Sequence, residues 1–361
     1  MFINRSVKRD MPVRVGIVGV GNCASALVQG IEMYKQNPDL EPIVAFKEIG
    51  KYTPRDIVFT SAFEIDARKV GLDLADAIFQ PPNNATVVFK PRKLGVTVRP
   101  GPALDGVPEG GLVPKIVEGT VDDVVKELNS TNTEVLVNYL PTGAKKAAEA
   151  YAEAALRAGV AFVNAMPAPI ATSELWQRKF AERNLPLLGD DTQNQIGATV
   201  FHKTLVRLLA IRGVRIKHTY QINVGGTPDF VNLMYRRGDK EKTKTAAVKM
   251  MAGGQEFGAY ISPVAYIEFL GDRKIAHTLI EAEIFGGLSI RIEATLDVHD
   301  AWNSAAVVTD SVRLAKLALD RGVGGPLISA SAWGFKNPPV HMSPDEAYRA
   351  VVEFIEGKRS R

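Results

Sequence analysis

The feature that most constrains the fold is an apolar run, Val13–Val18, followed directly by a Gly-x-Gly-x-x-Ala motif. Gly19 permits a tight turn, Gly21 lets the backbone approach a pyrophosphate, and Ala24 lets the next helix pack on the strand. A helical pattern continues over Ser25–Tyr34, and the N-terminus of such a helix offers unpaired N–H groups to phosphates. This strand–turn–helix unit predicts dinucleotide binding. The alternative is a glycine-rich turn without a ligand.

Length and composition narrow the class of protein. A chain of 361 residues exceeds one typical core, so two domains are expected. No apolar run approaches the roughly 20 residues that cross a bilayer, and no secretory signal is expected. The single cysteine, Cys23, excludes an internal disulfide framework and favours a reducing cytoplasm. The net charge of +4 is spread along the chain, which favours small anionic ligands and predicts no nucleic-acid or membrane partner.

Strands alternate with helices through the first half of the chain. This order predicts an α/β fold with a Rossmann-type, doubly wound parallel sheet. After the first unit and a loop over residues 36–55, the predicted strands are Ile57–Phe63, Gly95–Arg99, Val135–Leu140, Val160–Asn164 and Leu185–Leu188. The predicted helices are Val70–Phe79, Val121–Leu128, Ala144–Ala158, Ser173–Arg183 and Ala198–Arg212.

The carboxyl ends of these strands are where ligands bind in such sheets. Glu64 and Asp66 close the second strand, where the ribose of an NAD-type cofactor is held, although each is otherwise an ordinary turn acid. Their charge would repel a 2′-phosphate and so favours NAD over NADP. Segments 140–143, 164–167 and 189–191 end later strands and should line one crevice with the glycine loop.

The alternation of strands and helices ends in the second half of the chain. A strand over Val214–Val224 precedes a loop over Gly225–Phe230, and Leu279–Val298 alternates around a Gly-Gly pair as an antiparallel hairpin does. Such an open sheet could form a subunit interface. Helices are predicted at Asn303–Asp320 and Pro344–Ile355. The predicted domains are an NAD-binding domain (1–200), an inserted α+β catalytic and oligomerisation domain (201–302) and a C-terminal segment returning to the first (303–361).

Polar residues that could carry chemistry are individually unremarkable in the sequence. Lys240 and Lys244 lie four apart in a basic stretch over 236–249, so they share a face if it is helical, but a solvated surface run is the alternative. Cys23 is interpreted as a small packing residue beside the phosphate loop. The five histidines show no paired ligand spacing, so no structural zinc site is predicted.

Several segments together resemble the myo-inositol-1-phosphate synthase family. The resemblance runs in order from about Val13 to Pro339 and is closest to the shorter prokaryotic branch. It is carried by segments 18–25, 62–71, 101–106, 163–167, 189–191, 223–230 and 302–305. It implies a Rossmann domain with an inserted catalytic, tetramer-forming domain, and hence a homotetramer.

The resemblance also implies a reaction. Members of this family convert D-glucose 6-phosphate to 1D-myo-inositol 3-phosphate with NAD bound throughout. C5 of the open-chain sugar is oxidised, C6 loses a proton and attacks C1 in an intramolecular aldol step, and the same cofactor then reduces the product. A divalent cation or ammonium ion is a further possible cofactor, and no ligand cluster in the sequence decides the question.

The resemblance also implies site residues, at the positions of this chain that match the family's motifs. The implied catalytic residues are Lys240, Lys244, Lys274, Lys336, Asp191, Asp229 and Asp300. The implied cofactor residues are Gly19, Val20, Gly21, Asn22, Cys23, Ala24, Glu64, Asp66, Asp73 and Tyr151. The substrate residues are Asn194, Gln195, Thr199 and Asn223, since a helix start suits a phosphate.

Two departures from the family pattern stand out. Glu64 replaces the family's usual Asp, and Gln193-Asn194 replaces Lys-Ser, which is expected to remove a charge near the substrate phosphate. Two other functions remain open: a conventional NAD-dependent sugar or polyol dehydrogenase, and a non-catalytic NAD-binding regulator.

Overall fold

The computed structural model describes residues 12–235 and 248–361. The described strands are β1 Val13–Val18, β2 Ile57–Glu64, β3 Val98–Pro100, β4 Val135–Asn138, β5 Ala161–Asn164, β6 Pro186–Leu188, β7 Arg215–Gly225, β8 Gly258–Tyr266, β9 Arg273–Glu283, β10 Ser289–His299 and β11 Gly325–Pro326. The described helices are α1 Asn22–Gln36, α2 Leu74–Ala77, α3 Val121–Ser130, α4 Lys145–Ala158, α5 Glu174–Glu182, α6 Ala198–Ile211, α7 Pro228–Tyr235, α8 Asp300–Asp320, α9 Ile328–Gly334 and α10 Pro344–Ile355.

A parallel sheet forms the centre of the molecule and confirms the predicted fold class. Within the described residues its order is β11-β6-β5-β4-β1-β2-β3. Helices α1, α8, α9 and α10 share one apolar core with the sheet, and α3, α4 and α5 share another on the opposite face. The strands are buried on both faces, which explains why β1 and β4 are continuous apolar runs in the sequence.

The second sheet has the order β10-β9-β7-β8 in the described part of the chain. The predicted hairpin is present: β9 and β10 pair antiparallel from Arg273↔His299 to Glu283↔Ser289. One side of the sheet packs on α6 through Val206 and Leu209. Every residue of β10 is at least partly exposed, so this sheet keeps an open surface.

Two local expectations were wrong, and one long strand was not expected. The helix predicted over Val70–Phe79 is only the short α2, because Gly71 adopts φ +90° and Asp73 then caps a new helix start. The loop predicted over Gly225–Phe230 already contains the first turn of α7, which begins at Pro228, and proline suits a first helical position. Strand β8, which pairs parallel with β7, was not predicted.

The chain returns to the first sheet after the second. Helix α8 follows β10 without an intervening loop, and its residues Val308, Val312 and Ala315 join the core of the first sheet. The domain boundaries at 200 and 302 stay predictions. Among the described helices, none is long and apolar enough to span a membrane.

Candidate active site

One cleft runs along the carboxyl edge of the first sheet and reaches the second sheet. The glycine loop and the segments that follow β4, β5 and β6 all line it. So do residues of the second sheet, including Asn223 at the end of β7, Pro263 on β8 and Lys274 on β9. The structure therefore brings together strand ends that are far apart in the sequence.

The glycine loop forms one end of the cleft, which we call the cofactor end (residues 19–24, 64–69 and 83). Gly19 has φ +83°, and a Cβ there would lie 2.8 Å from the carbonyl oxygen of Tyr139, so only glycine fits. A Cβ on Gly21 would meet nothing within 4 Å, which leaves open space before the first turn of α1. Val20 and Ala24 are fully buried and pack beneath the loop.

The two acids that close β2 differ in their surroundings. Glu64 accepts hydrogen bonds from the backbone N–H groups of Val20 (2.9 Å) and Ile65 (2.7 Å), which places its carboxylate beside the glycine loop. Asp66 is 1 % exposed and accepts two bonds of 3.0 Å from the Nε of Arg68. The charge of Asp66 is therefore neutralised by Arg68 at hydrogen-bond distance, while the ammonium of Lys69 lies 4.0 Å from Oε2 of Glu64.

Lys69 is a cofactor-end residue that sequence reasoning missed. Its ammonium donates to the carbonyl oxygen of Val20 (2.8 Å) and to Oδ1 of Asn83 (2.9 Å), so it ties the glycine loop to the segment after α2. A lysine five residues beyond a strand carries no local signal for this role. Burial lowers the pKa of Lys69, because it disfavours the charged ammonium.

Three further predicted cofactor residues have clear structural positions. Asp73 caps α2 and accepts bonds from the N–H groups of Ala75 (2.9 Å), Leu94 (3.1 Å) and Gly95 (2.7 Å). Tyr151, on α4, lines the cleft and is buried, which raises its pKa well above the ordinary value. Asn22 bonds through its side chain to Asn84 (2.6 Å).

Two ammonium–carboxylate pairs form the other end of the cleft, which we call the reaction end (Asp191, Asp229, Lys274, Asp300 and Lys336). The Nζ of Lys274 lies 2.9 Å from Oδ1 of Asp300, and the Nζ of Lys336 lies 2.8 Å from Oδ1 of Asp191. Asp229 lines the cleft beside them, 3.4 Å from the hydroxyl of Thr142.

Burial and charge oppose each other at these pairs. Burial favours a neutral Lys274, but the carboxylates of Asp300, Asp229 and Asp191 outweigh it, so its pKa lies above the usual value. Burial likewise favours a neutral Asp300, but Lys274 and Lys336 outweigh it and lower its pKa. Both partners are therefore charged near neutral pH.

Cys23 belongs to the cofactor end and lies within electrostatic reach of the reaction end. Burial, followed by the nearby carboxylates of Asp300 and Asp229, raises the pKa of its thiol to about 12. The thiolate, which is the reactive form of cysteine, is therefore scarce at physiological pH. This position agrees with its interpretation as a packing residue.

A small recess for an anion opens beside the reaction end. It is lined by residues at the N-terminus of α6, including Thr199, together with Asn194, Asn223, Lys274 and Lys336. The side chain of Asn194 donates to Oδ1 of Asp300 (2.7 Å), which links the recess to an ion pair. Free N–H groups at a helix start and two ammonium groups suit a phosphate.

Gln193 and Gln195 do not line this recess. The amide of Gln193 donates to the carbonyl oxygen of Trp333 (3.2 Å) and accepts from the Nζ of Lys203 (3.4 Å). Gln195 is held by a backbone bond to Asn303 (3.0 Å) and lines a separate cavity with Gln193. The side chain at position 193 lies outside the recess, and the expected loss of a charge beside the phosphate stays a prediction.

Asp190 is a second residue that sequence reasoning missed. Its buried carboxylate accepts bonds from the N–H groups of Ile170 (3.1 Å), Ala171 (2.9 Å) and Thr172 (3.1 Å). It thereby holds the loop that carries Met166 and Pro167 to the cleft. Burial raises the pKa of Asp190 to about 6. Adjacent acids thus differ: Asp190 supports a loop, while Asp191 faces the cleft.

Two predicted catalytic residues, Lys240 and Lys244, lie outside the described residues. Across residues 12–235 and 248–361 there is no group of three or more His, Cys, Asp or Glu side chains that could hold a metal ion.

Comparison with known proteins identifies the relatives of this chain. A family model described as myo-inositol-1-phosphate synthase matches residues 197–301. An inositol-3-phosphate synthase of Mycobacterium tuberculosis is 42% identical over 359 residues, covering 96% of each chain. One from Mycolicibacterium smegmatis is 40% identical over 362 residues, covering 96% of this chain and 98% of the relative.

A solved structure agrees with these relatives. A myo-inositol-1-phosphate synthase-related protein from Thermotoga maritima superposes with a TM-score of 0.80 at 27% identity, covering 97% of this chain and 100% of the other. The similarity therefore extends over both sheets and the C-terminal segment.

Proposed function

This chain belongs to the myo-inositol-1-phosphate synthase family, whose activity is the cyclisation of glucose 6-phosphate to an inositol phosphate, and we propose that it performs this cyclisation with NAD. The proposed product is 1D-myo-inositol 3-phosphate. The observation that carries the proposal is a single cleft that joins a nucleotide-type glycine loop to two ammonium–carboxylate pairs. A cofactor and a reacting sugar can then be held side by side.

The cofactor end fits NAD. Open space faces Gly21, and the first N–H groups of α1 are directed to where a pyrophosphate would lie. Glu64 would accept the ribose hydroxyls, and Tyr139 lines the cleft beside the glycine loop. When bound, NAD would accept a hydride and later return it.

The recess at α6 would hold the phosphate of the substrate. Asn194, Thr199 and Asn223 surround it, and its two ammonium groups belong to Lys274 and Lys336. The same lysines face the main cleft, so a phosphate anchored here would place the sugar against the reaction end. Anchoring of this kind lowers the entropy cost of aligning C1 and C6.

The lysines would stabilise the charge that develops on oxygen. Removal of a proton beside a carbonyl builds negative charge on that oxygen, and a preorganised ammonium lowers the barrier. Asp300 and Asp191 hold the ammonium groups of Lys274 and Lys336 in place through bonds of 2.9 Å and 2.8 Å. Asp229 would orient the same group of charges. We assign Lys240 to the C5 oxygen and Lys244 to the C1 oxygen by family resemblance.

Product identification tests this function. Purified protein is incubated with NAD and D-glucose 6-phosphate, and the mixture is followed by NMR. The cyclase forms inositol phosphate without accumulating NADH. A sugar dehydrogenase would instead form NADH in proportion to the substrate consumed, and a regulator would leave the substrate unchanged.

Assembly, location and metal use complete the proposal. The exposed surface of β10, with Phe285 fully exposed at the hairpin tip, supports a homotetramer built on the second sheet. Sedimentation equilibrium should give four chains per particle.

The lone cysteine supports a cytoplasmic location. Loss of activity after chelation, restored by a divalent cation, would establish a metal requirement.

A further inference from the structure

A second cavity of about 180 Å³ lies next to the cleft and shares only Asn194 with it. Its walls come from α6, α8, α9 and the start of α10, together with Gln193 and Gln195. Much of the lining is apolar and includes Val307 and Trp333. The proposed reaction uses no part of this cavity apart from Asn194.

A buried lysine lines this cavity. Lys203, on α6, is only 4 % exposed, and within the described residues its ammonium makes one hydrogen bond, of 3.4 Å, to Oε1 of Gln193. An ammonium has three N–H donors, so two remain for other partners. A buried charge without a partner is costly, and the arrangement therefore calls for an acceptor inside the cavity.

The charged groups near Lys203 do not supply that acceptor. Asp310 lines the same cavity, but its carboxylate is paired with the guanidinium of Arg313 and accepts the N–H of Ala45 (3.1 Å). His341 lies within electrostatic reach of Lys203, and burial followed by that positive charge lowers the pKa of His341. Burial alone lowers the pKa of Lys203 to about 8, as expected for an ammonium that faces no carboxylate.

We propose that this cavity is a second anion site, in which the ammonium of Lys203 binds a small oxyanion of the phosphate or carboxylate class. Gln193 and Gln195 line the site beside it, and the apolar wall formed by Val307 and Trp333 accepts the short carbon chain of a carboxylate. The site adjoins the recess that contains Lys274 and Lys336 and shares Asn194 and Val200 with it, but neither of those two lysines lines the cavity. It does not depend on the proposed function of the cleft.

Calorimetric titration of the full-length protein tests the site. Inorganic phosphate and acetate are titrated separately into Lys274→Met, which weakens the recess in the cleft, and into the same chain carrying Lys203→Met. At pH 7 we expect the single variant to bind one anion per chain. The added substitution should weaken binding at least about tenfold, because a charged hydrogen bond is lost. The anion that binds more tightly identifies the class.

Two matched variants keep the test decisive if Lys203→Met does not fold. Lys203→Arg keeps the positive charge and should retain binding. Ala306→Leu leaves Lys203 in place but fills part of the cavity, whose lining includes Ala306, and should abolish binding. Circular dichroism checks that each variant is folded. Equal anion binding by Ala306→Leu and its parent would overturn the proposal, since the cavity would then hold only water.

The pH dependence provides an independent check. Because the ammonium of Lys203 is charged below its pKa of about 8, binding should be present at pH 7 and weaken steeply by pH 9.5. Burial raises the pKa of Asp310 to about 7 despite its pairing with Arg313, so Asp310 gains negative charge over the lower part of this range and adds to the loss of anion binding. The pKa of His341 is lowered, so His341 is neutral throughout and does not reverse the trend. Binding that is unchanged between these pH values would contradict an anion held by Lys203.

Discussion

The two ends of the cleft are built in different ways. The cofactor end is formed mainly by the backbone of one short segment, the glycine loop. Glu64 and Lys69 bond directly to the backbone of Val20 in that loop. At the reaction end, side chains from separate parts of the chain meet: Lys336 and Asp191 are 145 residues apart. One end is thus shaped by local backbone geometry, while tertiary structure concentrates charge at the other.

This difference implies that the two ends can be inactivated separately. A substitution in the glycine loop should weaken NAD binding without disturbing the ion pairs. A substitution of a lysine at the reaction end should stop turnover without weakening NAD binding. The following predictions test that separation.

The largest effect is expected from Lys274→Met. Loss of an ammonium that stabilises developing charge should lower turnover about 10³-fold, while NAD affinity stays within about twofold of the wild type. Inositol phosphate formation and calorimetric NAD binding measure the two quantities. The matched control is Arg273→Met, which removes the neighbouring cation that pairs with exposed Asp297 and should leave both unchanged. Parallel loss of NAD binding in Lys274→Met would show that the ends are not separable.

A stability effect is expected from His202, which lies on α6 behind the reaction end. Its ring is buried between Thr219 (2.7 Å) and Gln221 (3.3 Å), and burial lowers its pKa to about 4. The unfolded chain binds a proton below about pH 6.5, but the folded chain resists it. Stability contributed by neutral His202 is therefore complete above pH 6.5 and falls by about 3 kcal/mol as the pH drops to 4.

Urea unfolding at pH 7, 5.5 and 4.5 measures this loss. His202→Gln should show a shallower decline than the wild type, whatever its stability at pH 7. The control is His277→Gln, because His277 is exposed and bonds to Thr295 on the neighbouring strand. Identical pH slopes for His202→Gln and the wild type would contradict the assigned role of burial.

At the cofactor end, Gly21→Ala should lower NAD affinity about 10- to 100-fold, because the new methyl group occupies space that a pyrophosphate needs. Nothing lies within 4 Å of that position, so the stability of the free protein should be unchanged. Gly19→Ala should lose affinity and also about 1–3 kcal/mol of stability, since φ is +83° there. Thermal unfolding measures the change in stability of each variant, and NAD titration measures the change in its affinity. Normal NAD binding by Gly21→Ala would place the cofactor elsewhere.

The smallest effect concerns cofactor choice. Glu64→Gln should raise the affinity for NADP relative to that for NAD by roughly fivefold. This ratio corresponds to about 1 kcal/mol, the free energy expected when a charge that repels the 2′-phosphate is removed. Asp66→Asn should not change this ratio, because Arg68 already neutralises Asp66. Titration with both nucleotides measures the ratios. A larger change in Asp66→Asn than in Glu64→Gln would reverse the assignment of the two acids.

The same contrast explains what could be predicted from sequence. The glycine loop is local, so Gly19, Gly21 and the strand and helix beside them could be recognised from spacing. The hairpin of β9 and β10 was also recognisable, because its alternation is regular. The reaction end was identified only through family resemblance, because Lys274, Asp300 and Lys336 are ordinary residue types whose pairing depends on the fold.

Other features depended on contacts that no local pattern contains. Strand β8 lacks regular alternation and contains Pro263, which argues against a strand in sequence. Lys69 and Asp190 are held by bonds to distant backbone groups, so neither could be assigned a role beforehand. Helix α2 is short because Asp73 bonds to both its own helix and the segment at Gly95, a contact 22 residues away.

We propose that one cleft holds a cofactor which is reduced and reoxidised beside the sugar within each turnover. Stopped-flow absorbance at the NADH band, after NAD-loaded protein is mixed with excess D-glucose 6-phosphate and excess free NAD, tests this retention of the cofactor most directly. We expect that NADH never exceeds one equivalent per chain while inositol phosphate continues to form over many turnovers. NADH that rises beyond one equivalent in step with substrate loss would contradict it.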